Sequence, residues 1–377
     1  MKTAGSRYAL SDRLAFSKSK TNTLIAGLLD VGMLQESGLR RSTGGRPPET
    51  LTFSPELGVL IGVDLGATSM DLAILRPDLS VLARHTEAAD VRAGPGVVLA
   101  RLRLLLRQLL AQCGYNEKQV IAIGMGVPGP VDFESAQLVD PPLMPEWDSF
   151  SIRDYLREEY NAIAFVDNDV NLMALGELWR LQGGLQNFLV IKVGTGIGCG
   201  IVCHGEVHRG ANGSAGDVGH ICVDVDGPRC HCGKLGCLEV MAAAPAIVRL
   251  ATQAATSGES ALLAASLEAN GLLTPELVGQ ASRNGDAAAN RIIQESGNHI
   301  GQMLASVVNF FNPSHVFIGG GLTRLGPQLL ASVRQSVYQR SLALSTRHLE
   351  IQYTPLAERA GVVGAGVLAM QETLKHR

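Results

Sequence analysis

The chain has 377 residues, 46% of them hydrophobic and 18% charged, which is enough apolar sequence for two or three packed domains. A net charge of −3 excludes a uniformly basic nucleic-acid binder. No apolar run reaches the ~18 residues of a membrane span, and no signal peptide opens the chain, so the cytoplasm is the expected compartment.

The charge is unevenly placed. Residues 1–50 hold eight Lys/Arg against four Asp/Glu, so this segment is basic and the remainder acidic. Leu10 and Leu14 fall on one face of a short first helix. Only eight residues precede Ala9, so an early helix of this segment is expected to be truncated. Ser17 is a good N-cap for a second helix over 18–31, in which Leu24, Ile25, Leu28 and Leu29 recur at helical spacing before Gly32 ends it. Strands are predicted over 33–39 and 50–53, flanking the turn at residues 42–48 that contains Arg46. Helix, turn, helix and basic hairpin is the order of a winged helix-turn-helix. Lys18, Lys20, Thr21, Asn22 and Thr23 are then candidates to meet phosphates and base edges. An ordinary helical hairpin with a solvated polar face fits the same residues.

From Gly58 the composition turns apolar. Two strands surround Asp64-Leu65-Gly66-Ala67-Thr68, where a carboxylate can face a metal ion and Gly66 and Thr68 can face phosphate oxygens. A strand near 81–85, a helix near 96–112 and a strand over 120–127 follow. Then come a helix over 152–160, a strand over 162–166 and a helix over 169–181. The pattern restarts with a strand over 187–193, the turn Gly194-Thr195-Gly196 and a strand over 198–204. This repetition predicts an internal duplication, with two α/β lobes facing a cleft. Neither glycine turn is a P-loop, since GxxxxGK[ST] is absent. A tight β-hairpin needs glycines for its own reasons. Helices dominate 242–311, a strand over 315–318 ends in Gly319-Gly320-Gly321, and a helix over 333–344, a strand over 349–353 and a helix over 361–375 close the chain.

Asp169 sits between a strand end and a helix start, where a carboxylate can take a proton from a sugar hydroxyl attacking a phosphoryl group. Asn168 or Asp169 capping that helix is the plainer account. Asp217, His220, Glu239, Asn168 and Asp169 together offer the polar contacts that sugar recognition needs. His220, Cys230, Cys232 and Cys237 are a full tetrahedral zinc set, although clustered cysteines also occur by chance in buried loops.

DLGAT (64–68), GVPGPV (126–131), DNDVN (167–171), GTGIGCG (194–200), GDVGH (216–220), CHCGKLGCLE (230–239) and IGGGL (318–322) together resemble the ROK family of bacterial repressors and sugar kinases. The resemblance spans about residues 58–370, and the segment ending in GGRPP is similar to the winged helix-turn-helix of the family's regulator branch. It implies an α/β, two-lobed, actin-like (ribonuclease H-like) sugar kinase fold behind a small winged helix-turn-helix, commonly as a homodimer or homotetramer. The expected domains are 1–55 for the head, 56–168 plus about 355–377 for one lobe, and 169–354 for the zinc-bearing lobe. Asp169 takes the place of the catalytic base. Asn168, Asp169, Asp217, His220 and Glu239 take those of sugar contacts, and Asp64, Gly66, Thr68, Gly194, Thr195, Gly196, Gly319 and Gly320 those of nucleotide contacts. His220, Cys230, Cys232 and Cys237 match a structural Zn2+ site. Two departures from the family's kinases stand out: Ala67 where a glycine is usual, which would crowd a phosphate, and Asp217 where glutamate is usual. The implied function is sugar-responsive regulation at operator DNA. The alternative is an ATP-dependent kinase of hexoses or N-acetyl-hexosamines, which would also need Mg2+.

Overall fold

The structure, a computed structural model, describes residues 7–13, 16–39, 49–141 and 144–375. The head consists of helices α1 (Arg7–Arg13) and α2 (Lys18–Asp30) and strands β1 (Leu34–Leu39) and β2 (Glu49–Phe53), which pair antiparallel with Leu34 opposite Phe53. α2 starts as expected, because Ser17 Oγ accepts from the Lys20 N–H at 3.2 Å. Two expectations need correction. Thr21 is only 3% exposed and lies one turn from buried Ile25, inside the head rather than on a reading face. Leu24 and Leu28 are exposed. The reason is the small size of the head. α2 has one short helix and a two-stranded hairpin to pack against, so only the narrow stripe through Thr21 and Ile25 is covered.

The first lobe contains β3 (Val59–Leu65), β4 (Ser69–Leu75), β5 (Val81–Ala88), α3 (Pro95–Gln112) and β6 (Val120–Val127). It continues with the short pair β7 (Val131–Asp132) and β8 (Gln137–Leu138), then α4 (Ile152–Arg157) and β9 (Ile163–Asn168), after which α5 (Asp169–Leu181) crosses to the second lobe. The second lobe begins with β10 (Phe188–Val193), β11 (Ile197–Cys203) and β12 (Glu206–Val207). α6 (Leu238–Ala242), α7 (Ala244–Thr256), α8 (Ala261–Asn270), α9 (Pro275–Arg283) and α10 (Ala287–Phe311) follow, then β13 (His315–Gly319), α11 (Pro327–Arg340), α12 (Ala343–Thr346) and β14 (Glu350–Tyr353), and α13 (Ala360–Lys375) returns to the first lobe. The helix expected over 333–344 is in fact two helices. Ser341 is extended and Leu342 caps α12, with its N–H donating to Asn309 Oδ1 at 3.0 Å.

The duplication is visible in the sheets. One runs β5-β4-β3-β6-β9 and the other β12-β11-β10-β13-β14. In each, an antiparallel hairpin carries the glycine turn and two parallel strands extend the other side. This is the two-lobed, actin-like sugar kinase architecture. The central strands are apolar and buried on both faces, as parallel sheets covered by helices require. α5 leaves the end of β9 yet lies on β10 and β11, while α13 leaves the end of β14 yet lies on β3 and β6. The two helices cross closely, and a Cβ on Gly176 would stand 2.5 Å from the Ala360 carbonyl oxygen. This crossing sets Asp169, the first residue of α5, at the junction of the lobes. No described helix is long and apolar enough to cross a membrane.

Candidate functional site

Asp64 lies near the end of β3, the turn after that strand carries Gly66 and Thr68, and the turn after β10 carries Gly194, Thr195 and Gly196. The lobes bring them face to face, with Thr68 Oγ1 3.3 Å from Thr195 Oγ1. Gly319 pairs in register with Lys192, and Gly320 follows it against Val193, so this turn backs the second loop.

At the start of α5 the capping question resolves into two roles. Asn168 is the cap: its Oδ1 accepts from the Val170 N–H at 2.9 Å and, more weakly, from the Asn171 N–H at 3.4 Å. Its amide also donates to the Gly129 carbonyl at 3.0 Å, leaving one N–H for a ligand. Asp169 caps nothing. Its Oδ2 accepts from Lys192 Nζ at 2.6 Å, and the same ammonium lies 3.8 Å from Asp64 Oδ1.

Lys192 was missed in the sequence, although a signal was present: it is the single charged residue of the strand FLVIKV, two positions before the glycine turn. Burial alone would lower its pKa, but Asp169 and then Asp64 outweigh that effect and the net shift is upward, so it stays an ammonium. Asp167 was missed as well. Arg209 grips its Oδ2 with two N–H groups at 2.7 and 2.9 Å, and its Oδ1 accepts from Asn171 Nδ2 at 2.9 Å, which steadies the start of α5.

Burial pushes the Asp64 carboxyl up to about 6, against the pull of Lys192. A raised folded-state pKa is neutral for stability below the unfolded value. The cost builds as pH rises from the unfolded value to the folded one and is complete above it. Asp64→Asn is therefore expected to be more stable than the parent at pH 8, by about 2 kcal/mol, with the advantage gone near pH 4. Thermal melts at the two pH values check this; equal melting temperatures at pH 8 would contradict it.

Glu239, on the first turn of α6, accepts at Oε2 from the Ile197 N–H at 3.2 Å, which ties α6 to the second glycine turn. Burial raises its pKa, while His220 and the Ile197 N–H oppose the rise. Asp217, in the loop before His220, is exposed.

The thiol cluster is assembled by tight turns. Gly236 has φ +59°, and a Cβ there would overlap the Asp224 carbonyl. His220 Nδ1 lies 3.5 Å from Cys230 Sγ, and Cys232 Sγ lies 3.6 Å from Cys237 Sγ. All four ligand atoms lie within 4.8 Å of one another. A tetrahedral zinc with Zn–S bonds of about 2.3 Å needs S···S edges of roughly 3.8 Å, so three thiolates and an imidazole so placed fit a metal ion. With Nδ1 turned inward, Nε2 of His220 remains for a ligand. His231 is exposed and outside the cluster.

In the head, Lys18, Lys20, Asn22 and Thr23 are exposed. Lys20 Nζ lies 4.1 Å from the centre of the Phe16 ring. Arg46 lies outside the described residues.

The ROK family model matches residues 60–372. The chain is 33% identical over 314 residues to a glucokinase of Halalkalibacterium halodurans, covering 83% of this chain and 95% of that one. It is 29% identical over 371 residues to the xylose repressor of Caldicellulosiruptor bescii, covering 98% and 92%. It is also similar to the crystal structure of a ROK family transcriptional regulator, a homolog of the Escherichia coli MLC protein, with a TM-score of 0.80 at 27% identity over 98% of this chain and 92% of that one.

Proposed function

This chain belongs to the ROK family, and from that membership we propose that it is a sugar-responsive transcriptional regulator. The observation that carries the proposal is the head. A xylose repressor aligns with 371 of the 377 residues, head included, whereas a glucokinase aligns with 314. Exposed Lys18, Lys20 and Asn22 on α2 suit contact with DNA, and Arg46, which lies between β1 and β2 in sequence, adds to the positive charge of the head. The proposed assembly is a homodimer or homotetramer that places two heads on a two-fold symmetric operator.

The ligand is a sugar or sugar phosphate held between the lobes. Asp169, Glu239, Asp217, the free N–H of Asn168 and Nε2 of His220 supply the polar contacts, and Zn2+ on His220, Cys230, Cys232 and Cys237 holds the last two elements in place. Sugar must bind one lobe arrangement better than the other, and a difference of about 1–3 kcal/mol shifts operator occupancy usefully.

Replacing both Lys18 and Lys20 by Ala is expected to weaken operator binding at least about tenfold and to flatten its salt dependence by nearly two units of log–log slope. Fluorescence anisotropy with operator DNA at several salt concentrations measures both; unchanged affinity in the double variant would remove α2 as the reading element.

One set of observations favours a kinase: the 33% identity to a glucokinase and the retained Asp64, Asp169 and glycine turns. That reading requires ATP and Mg2+ at Asp64, Gly66, Thr68, Gly194, Thr195, Gly196, Gly319 and Gly320, with Asp169 as base. ADP release over a panel of hexoses and N-acetyl-hexosamines separates the two. Background turnover, with sugar-sensitive DNA binding, is the expected outcome. Turnover abolished in Asp169→Asn would establish the kinase instead.

A further inference from the structure

Between the two glycine turns the crevice already holds a cation. Lys192 Nζ is 2.6 Å from Asp169 Oδ2 and 3.8 Å from Asp64 Oδ1, with the three side chains only 20%, 8% and 16% exposed. Lys192 is fixed there by its strand, in register with Gly198 on one side and Gly319 on the other. Asp64 Oδ1 is buried without a hydrogen-bond partner, so its nearest compensation is this ammonium. Asp64 Oδ2 is walled by the first turn of α13, where a Cβ on Gly361 would overlap it. Above the three charges Thr68 and Thr195 meet at 3.3 Å.

Phosphoryl transfer needs that same space. The transferred group and its divalent cation must lie in line between the acceptor hydroxyl, beside the base, and the phosphate-binding turns. A divalent cation of this kind is commonly held by one or two carboxylates, and here Asp64 and Asp169 are the pair in position. Both already face an ammonium, which would repel a divalent ion at short range.

We propose that Lys192 is a resident monovalent cation that takes the place of the divalent ion. It holds Asp169 as a hydroxyl acceptor and denies Asp64 and Asp169 to metal-bound phosphate. Two carboxylates against one ammonium leave the pocket acidic, so the sugar group that meets Asp169 is a neutral hydroxyl rather than a phosphate. This assignment of ligand class rests on the sugar-sensing reading above.

The test is a titration of the full-length, zinc-loaded protein with Mn2+ alone, with free Mn2+ followed by electron paramagnetic resonance. The parent is compared with Lys192→Ala, Lys192→Met and the double variant Lys192→Ala/Asp64→Asn. The parent is expected to show no saturable binding below about 1 mM, and the single variants to bind one ion at least about tenfold tighter. The double variant should lose that gain. Two results would overturn the proposal: a saturable Mn2+ site in the parent that disappears in Asp64→Asn, or single variants with native circular dichroism that bind no tighter than the parent. Should both single variants misfold, the parent titration still discriminates. Saturable binding removed by Asp64→Asn refutes the proposal and its absence supports it. Operator binding and its sugar response are measured separately on the parent, so failure of the regulator reading is not mistaken for failure here.

Discussion

Gly364→Ala is expected to lower the stability of this protein by at least about 4 kcal/mol and to leave much of it insoluble. The added Cβ would fall inside the Leu172 carbonyl, with backbone atoms of Leu172 on every near side. Backbone does not swing aside as a side chain does, so α5 or α13 would have to move. Neither is free to. α13 is pressed against the first sheet, where a Cβ on Gly62 would already stand 2.6 Å from the Val362 carbonyl oxygen. α5 is pressed against the second sheet, where a Cβ on Gly200 would stand 2.7 Å from the Val170 carbonyl oxygen. The substitution therefore forces the lobes apart at this helical crossing, and a domain's whole stability is typically just 5–15 kcal/mol. Gly366→Ala, two residues on, is the control. The atoms nearest to its Cβ would be side-chain methyls of Leu75 and Leu79, at 3.1 to 3.4 Å, which can give way, and alanine is the better helix former, so a change within about 1 kcal/mol is expected. Calorimetry on the two variants decides, and a melting temperature for Gly364→Ala close to the parent's would show that the helices separate more easily than the packing implies.

Cys237→Ser is expected to reduce metal content from one ion per chain to near none and to weaken sugar binding by about tenfold or more, with the overall fold retained. Cys237 is fully buried and immediately precedes α6, so the ion it holds would also fix the first turn of that helix, which carries Glu239. Glu239 in turn braces the second glycine turn through the Ile197 N–H. Removing the thiolate loosens that chain of contacts, while the apolar core of the lobe, which α6 joins through Leu238 and Ala242, is built as well by α7, α9, α10 and α11. Elemental analysis, circular dichroism and calorimetric sugar titration on one preparation test each part. Full metal retention in the variant would dismiss Cys237 as a ligand. Metal loss with unchanged sugar affinity would separate the ion from the sugar site.

Most of the elements were legible because their signals are local. The strand, glycine turn and strand units around Asp64 and Gly194 are written in short apolar runs, and the structure pairs them in two sheets of identical order. Helix α5 begins and ends as the periodicity predicts, and the cysteine spacing announced the cluster of four donors. The helix pattern over 333–344 misled because apolar residues continue past Val337 to Leu342 and Leu344, while the backbone breaks at Ser341 and the Leu342 N–H reaches Asn309 on α10. In the head, apolar spacing alone suggested a wide buried face on α2, and the hairpin proved too small to cover Leu24 and Leu28.

By itself, then, the sequence determined the family, the duplicated lobes, the glycine turns and the identity of the four clustered donors, since each depends on residues within a turn or two of one another. Only the tertiary structure decided what Asp169 faces, which of Asn168 and Asp169 caps α5, that Thr21 is buried and that Lys192 sits between two carboxylates. The partners of Asp169 and Lys192 are outcomes of bringing β9, β10 and β3 together across more than a hundred residues of chain, and no local periodicity encodes which charges then share a desolvated space.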